Sequence, residues 1–264
     1  VHRSPHSGFS VEFQEHREYT PGEDLRHLDW KVFGRTDKYY LKRFENETSL
    51  VCHLVVDVSE SMVYRGPTAD VSKLHYASCL AASLAWLMLQ QRNGVSLTTI
   101  DAEVRSVIAP ASGAPQLNRV LQTLEAAQPV AKTDLQRVLH ETAGRLKQRG
   151  VVIVISDFFE DVDAVLSGLR SLVQRQHDVI ALQVMDRAEI SFPFQNPTRF
   201  HGLEQFPTEV VDPIALGRAY RATINKFLEQ LRRRCADQQV EYGLCCTDED
   251  PGTRLAQFLS ERRT

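Results

Sequence analysis

From Leu50 onward the chain alternates between two kinds of apolar pattern. "LVCHLVVDV" (50–58) and "VVIVISDF" (151–158) are near-continuous β-branched runs of strand length. Runs of that kind predict strands buried on both faces. "SKLHYASCLAASLAWLMLQQRN" (72–93) instead repeats apolar residues at helical spacing and predicts a long helix ended by Gly94. "VSLTTID" and "EVRSVIAP" then predict two strands that can pair as a hairpin. Helical patterns follow in "APQLNRVLQTLEAAQ" and "TDLQRVLHETAGRLKQR", the second with Thr133 or Asp134 as its N-cap. "DVDAVLSGLRSLVQRQ" is a helix pattern and "DVIALQVMD" a strand. The long helix "IALGRAYRATINKFLEQLRRRCADQQ", the strand "VEYGLCC" and the helix "GTRLAQFLSER" complete the series.

Val/Ile-rich strands separated by amphipathic helices predict an α/β fold, a doubly wound and mostly parallel sheet with helices on both faces. Two segments break the alternation. Residues 1–49 are polar, aromatic and basic, with a turn at Pro21-Gly22, and are expected to form an N-terminal β-rich segment. Residues 187–211 carry three prolines among alternating aromatics and read as a β-hairpin insertion packing with that segment. The α/β domain is thereby expected in two parts, residues 50–186 and 212–264.

Composition narrows the function classes. A net charge of −3 gives no bulk attraction to nucleic acid or to an anionic membrane. The apolar stretch Leu80–Leu89 is too short to span a bilayer. Five cysteines, an odd number with no C-x-x-C pair, read as buried reduced thiols. Nothing in the chain has the pattern of a signal peptide, and the expected location is cytoplasmic. His53 reads as a packed core residue, and Arg232-Arg233-Arg234 as a solvated helix face.

The candidate chemistry lies where the apolar runs end. In an extended chain, residues i, i+2 and i+4 point the same way. If the loop stays extended, Asp57, Ser59 and Ser61 in "DVSES" converge on one point. Thr133 lies in the loop before a helix, and Asp157 ends the strand "VVIVISD". If the two strands are neighbours, Asp57 and Asp157 meet at the sheet's carboxyl edge, where ligands of such sheets sit. Two carboxylates and three hydroxyls are hard oxygen donors, suited to Mg²⁺ or Mn²⁺. Taken singly, Ser59, Ser61, Thr133 and Asp157 could each be a turn or helix cap. Glu160 and Asp161 read as acids favourable to a helix N-terminus.

D-x-S-x-S, a later pre-helix Thr and a later strand-end Asp together resemble the metal-ion-dependent adhesion site of von Willebrand factor A domains. The resemblance assigns Asp57, Ser59, Ser61, Thr133 and Asp157 to a site for Mg²⁺ (or Mn²⁺ or Ca²⁺). It implies that the hydroxyls coordinate directly, that the acids act largely through water, and that an acidic side chain of a protein partner completes the shell. The segment "EFQEHREYTPGEDLRHLDWKVFGRTDKYYLKRFENE" is similar to the signature of the domain-of-unknown-function 58 (DUF58) family. Arg17, Tyr19, Pro21, Gly22, Asp24, Arg26, Asp29 and Trp30 hold its marked positions, as a structural cluster or a partner-binding one. That resemblance implies a chaperone-like partner of MoxR-type AAA+ ATPases or their clients. One departure is "AKTDL" where relatives carry "GGTDL". Lys132 brings a positive charge into that loop that would weaken a cation.

Two other readings compete. A strand-end Asp57 followed by Asp157 and Asp161 has a faint likeness to haloacid-dehalogenase phosphatases. Their acid/base position, two residues after the first Asp, is Ser59 here, so no enzyme is expected. No phosphate-binding G-x-x-x-x-G-K-[ST] loop is present. The third reading is a scaffold with a metal-free site whose N-terminal segment does the binding.

Overall fold

The computed structural model describes residues 11–18, 30–36, 39–46, 50–129, 133–195, 198–200, 209–211 and 213–261. Contacts divide the chain into two compact units, Val1–Ser49 and Leu50–Thr264. In the first, β1 (Val11–Glu18) pairs antiparallel with β2 (Tyr40–Asn46), with a bulge between Phe13 and Glu15. The short helix α1 (Trp30–Thr36) lies between them in sequence, an element the polar pattern of that stretch does not signal. Of the signature positions, Arg17 lies in β1 and Trp30 opens α1. Tyr19, Pro21, Gly22, Asp24, Arg26 and Asp29 lie outside the described residues.

The second unit is built on β3 (Val51–Asp57), β4 (Gly94–Ile100), β5 (Val104–Ala111), β6 (Val151–Ser156), β7 (Asp178–Met185) and β10 (Val240–Cys246). Their order across the sheet is β10-β7-β6-β3-β4-β5. Neighbours are parallel except β5, which returns antiparallel along β4 as the expected hairpin. The alternation along β3 sorts its side chains between two cores. Leu54 and Val56 pack with Leu80 and Leu84 of α2 (Lys73–Gln90), Val120 of α3 (Ala114–Glu125), and Leu255 and Phe258 of α8 (Pro251–Glu261). Val55 packs on the opposite face with Val138 of α4 (Leu135–Arg145), Leu169 of α5 (Val162–Val173) and Leu231 of α7 (Pro213–Asp237). With both faces covered, every residue of β3 and β6 is buried, which is why both read as unbroken apolar runs. This is the doubly wound architecture that the likeness to von Willebrand factor A domains implies.

Local details depart from the sequence pattern in three places. The long helix α2 ends at Gln90, and Arg92 (φ 59°), not Gly94, takes the left-handed turn; Gly94 already belongs to β4. The hairpin of the 187–211 segment shrinks to β8 (Thr198–Phe200) and β9 (Glu209–Val211). The first five residues of that segment, Arg187–Ser191, are instead helical (α6). A capping box drives this: the Asp186 carboxylate accepts from the helix's first turn while its own backbone N–H donates to Glu189 Oε2 at 2.8 Å. The five cysteines are free thiols, four of them buried. His53 is buried, with Nδ1 against Ser96 Oγ at 2.7 Å and Nε2 against the Gln148 carbonyl at 2.9 Å. Arg232 and Arg233 are exposed, and Arg234 pairs with Asp163.

Candidate functional site

Strand order reverses at β3. The chain runs from β3 outward to β4 and β5, then returns to the other side of β3 for β6, β7 and β10. The crevice beyond the carboxyl ends of β3 and β6 is therefore the switch point of the sheet. Asp57 ends β3 and Asp157 follows β6, so the two acids flank that crevice.

Asp57 is fully buried and held from several sides. Its Oδ1 accepts from Ser59 N at 2.9 Å and from Thr133 Oγ1 at 3.2 Å. Its Oδ2 accepts from Ser156 Oγ at 2.6 Å. The Ser59 and Ser61 hydroxyls share a hydrogen bond of 3.1 Å. Ser59 does head the 3-10 turn Glu60–Val63, but its side chain caps nothing. Asp134, not Thr133, caps α4, accepting from Arg137 N at 3.1 Å. Thus neither Ser59 nor Thr133 caps through its side chain: the Thr133 hydroxyl donates to Asp57, and the Ser59 hydroxyl pairs with that of Ser61. Asp57, Ser59, Ser61 and Thr133 form one hydrogen-bonded set. Asp157 stands beside it and acts on it through charge. Burial and the nearby Asp157 charge raise the Asp57 carboxyl to about 6, against the bonds from Ser156 and Ser59.

The loop after β6 is shaped to present Asp157. Phe158, buried, takes a left-handed backbone at φ 53°, a costly conformation for a bulky residue. Its N–H donates to Ser156 Oγ at 3.0 Å, and the next N–H, from Phe159, donates to Asp157 Oδ1 at 3.1 Å. Asp161 caps α5, as expected of it. Glu160 serves a different helix: it accepts from Leu135 N, at the start of α4, at 3.0 Å. One loop acid thereby ties the Asp157 loop to the segment that carries Thr133.

Residues 15–233 match the family described as "protein of unknown function DUF58". The chain belongs to this family. An uncharacterised protein of Mycobacterium tuberculosis is 27% identical over 183 residues, covering 68% of this chain and 56% of that protein. The DUF58 chain thus spans about half the length of the curated relatives it matches. Among solved structures, an aerotolerance-related membrane protein from Bacteroides fragilis aligns with a TM-score of 0.57 at 14% identity. It covers 80% of this chain and 98% of that one. BatB from Bacteroides thetaiotaomicron, a conserved hypothetical protein, aligns over the same shares with a TM-score of 0.53 at 14% identity. At such identities the likeness is one of fold.

In this DUF58 chain the positive charge at the site comes from a residue the motif does not contain. Lys73, the first residue of α2, is wholly buried, and its Nζ donates to Asp157 Oδ2 and to Glu189 Oε1, each at 2.8 Å. Burial works against the ammonium, but the two carboxylates outweigh it and hold the Lys73 pKa above its ordinary value. The Phe159 ring centroid lies 4.9 Å from the same nitrogen. Lys132, whose charge the sequence placed in the Thr133 loop, lies outside the described residues. Ser156, Lys73, Glu160 and Glu189 all escape a motif search. Signals existed for two of them. Lys73 is the lone Lys or Arg of an 18-residue helix and stands at its N-terminus, where a cation is disfavoured. Glu189 completes a D-x-x-E capping box with Asp186.

The donor set is hydroxyl-rich. Among the described residues, no group of three or more His, Cys, Asp or Glu side chains is placed to hold a metal ion. A cation here would rely on Ser59, Ser61 and Thr133 together with the two acids. The clustered oxygens, and the charge that Asp157 places beside Asp57, are of the kind a hard divalent ion takes. No helix of the described residues is long and apolar enough to cross a membrane.

Proposed function

We propose that this chain is a cation-dependent protein-interaction module. A divalent ion, Mg²⁺ by donor type, is held by Ser59, Ser61 and Thr133, with Asp57 and Asp157 bound directly or through water. Mg²⁺ takes six oxygens and retains open or water-filled positions, and an acidic side chain of a partner fills one of them. A MoxR-type AAA+ ATPase or its client is the partner class that the family resemblance suggests. The observation that carries the reading is the convergence of Asp57, Ser59, Ser61 and Thr133 at the sheet's switch point.

The module is read as non-catalytic. Asp57 is enclosed by three hydrogen-bond donors, a poor arrangement for a nucleophile, and Ser59 stands where a phosphatase would place its acid/base. The test is capture of the purified MoxR-type ATPase on immobilised chain, in Mg²⁺ and in EDTA, with Ser59→Ala as control. Capture in Mg²⁺ that fails in EDTA and in the variant supports the reading. Equal capture in all three contradicts it.

A further inference from the structure

Lys73 is the most anomalous residue of the described chain. An ammonium at the positive end of a helix is unfavourable, and burying one costs several kcal/mol unless it is paired. Here it is wholly buried, and it is paired with an acid of the candidate cation site. The pairing is not incidental to packing. Asp157 Oδ2 carries Lys73 while Oδ1 carries the Phe159 N–H, so each oxygen of that acid already has a donor. A divalent ion drawn to Asp157 meets a positive charge on one of the oxygens it would use. Glu189 sits on the ammonium's other side and takes part of its charge, and that acid is fixed by the Asp186 backbone through its second oxygen.

We propose that Lys73 is a resident counter-cation that competes with the divalent ion for Asp157 and so sets the metal affinity of the site, with Glu189 as the second anchor that draws it away. The inference rests on the cation-site reading above. It predicts opposite signs for the two partners. Lys73→Met removes the competitor and tightens Mn²⁺ binding. Glu189→Gln leaves the ammonium on Asp157 alone and weakens it. A purely structural pair would instead lose affinity in both variants, because either change disturbs the Asp157 loop.

Lys73→Met leaves the part-buried Glu189 without its cation, at a cost to folding. The charge-balanced double variant K73M/E189Q therefore carries the decisive comparison, with circular dichroism confirming that it is folded. Mn²⁺ is titrated into the full chain by calorimetry. At least tenfold tighter binding by the double variant than by the wild type, with weaker binding by Glu189→Gln, is the expected result. Equal or weaker binding by the double variant overturns the role of Lys73 while leaving the cation site standing. Absence of binding in every protein overturns both.

Discussion

Replacing Asp57 by Asn should stabilise the cation-free protein at neutral pH. The Asp57 carboxyl moves from an ordinary 3.8 to about 6, first because it is buried and then because Asp157 is charged beside it. A raised pKa means that the folded state keeps a proton the unfolded chain gives up. Stability from this group is full below pH 3.8, falls as pH rises, and is lost above about 6. That gap corresponds to about 3 kcal/mol of destabilisation at pH 7.5. Asn keeps the acceptor for Ser59 N but replaces the short bond from Ser156 by a neutral one, a loss of about 1 kcal/mol. The net gain is about 2 kcal/mol, or about 4–8 °C in Tm for a domain of this size. The assay is thermal unfolding in EDTA at pH 7.5 and at pH 4, where wild-type Asp57 holds its proton. Asp57→Asn should melt higher at pH 7.5 and lose that advantage at pH 4. A lower Tm at pH 7.5, or the same gap at both pH values, would refute the claim that burial, with the Asp157 charge beside it, makes the Asp57 carboxylate destabilising.

Three further outcomes follow from named contacts. His53 is pushed down to about 4 by burial, so its contribution runs the other way: stability is full above pH 6.5 and about 3 kcal/mol is lost as pH falls toward 4. In an Asp57→Asn background, urea titrations between pH 7 and 4 should show that loss, and adding His53→Asn should remove most of it. Ser156→Ala removes the neutral hydroxyl donor that orients Asp57 Oδ2 and should weaken Mn²⁺ binding about tenfold, measured by calorimetry, with Tm changed far less than by a core deletion. Gly66→Ala drives a methyl into the buried Asp186 carboxylate, which accepts from the Gly66 N–H at 2.9 Å, and should cost about 2–4 kcal/mol in chemical denaturation.

The sheet was legible because its signal is local. Unbroken Val/Ile runs in β3 and β6 report burial on both faces, and Asp57 and Asp157 mark where those strands stop. The D-x-S-x-S spacing likewise needs only one short loop to bring Ser59 and Ser61 together, although the chain is extended only as far as Ser59 and Ser61 already lies in a 3-10 turn. What the pattern could not reach are partners set by tertiary proximity. Lys73 and Asp157 are 84 positions apart, and Asp57 and Ser156 are 99 apart. A lysine opening a helix reads as a solvent-facing residue, since burial is decided by α2 and the β6 loop meeting at the sheet edge. Glu160 reads in the sequence as an acid favourable to a helix N-terminus, and the helix it serves is α4, because α4 and α5 pack side by side and bring Leu135 N within reach. The helix α6 was hidden among prolines and aromatics that suggested a strand, although the capping box Asp186/Glu189 was present in the sequence.

The central claim is that the switch-point crevice holds a divalent cation through its hydroxyls. Calorimetric titration of Mg²⁺ and Mn²⁺ into the metal-free chain, beside Ser59→Ala and Asp157→Ala, tests it most directly. One saturable site per chain that vanishes in both variants is the result predicted. Identical heats in the three proteins would contradict the account and leave Asp57, Ser59 and Thr133 as a hydrogen-bonded strand terminus.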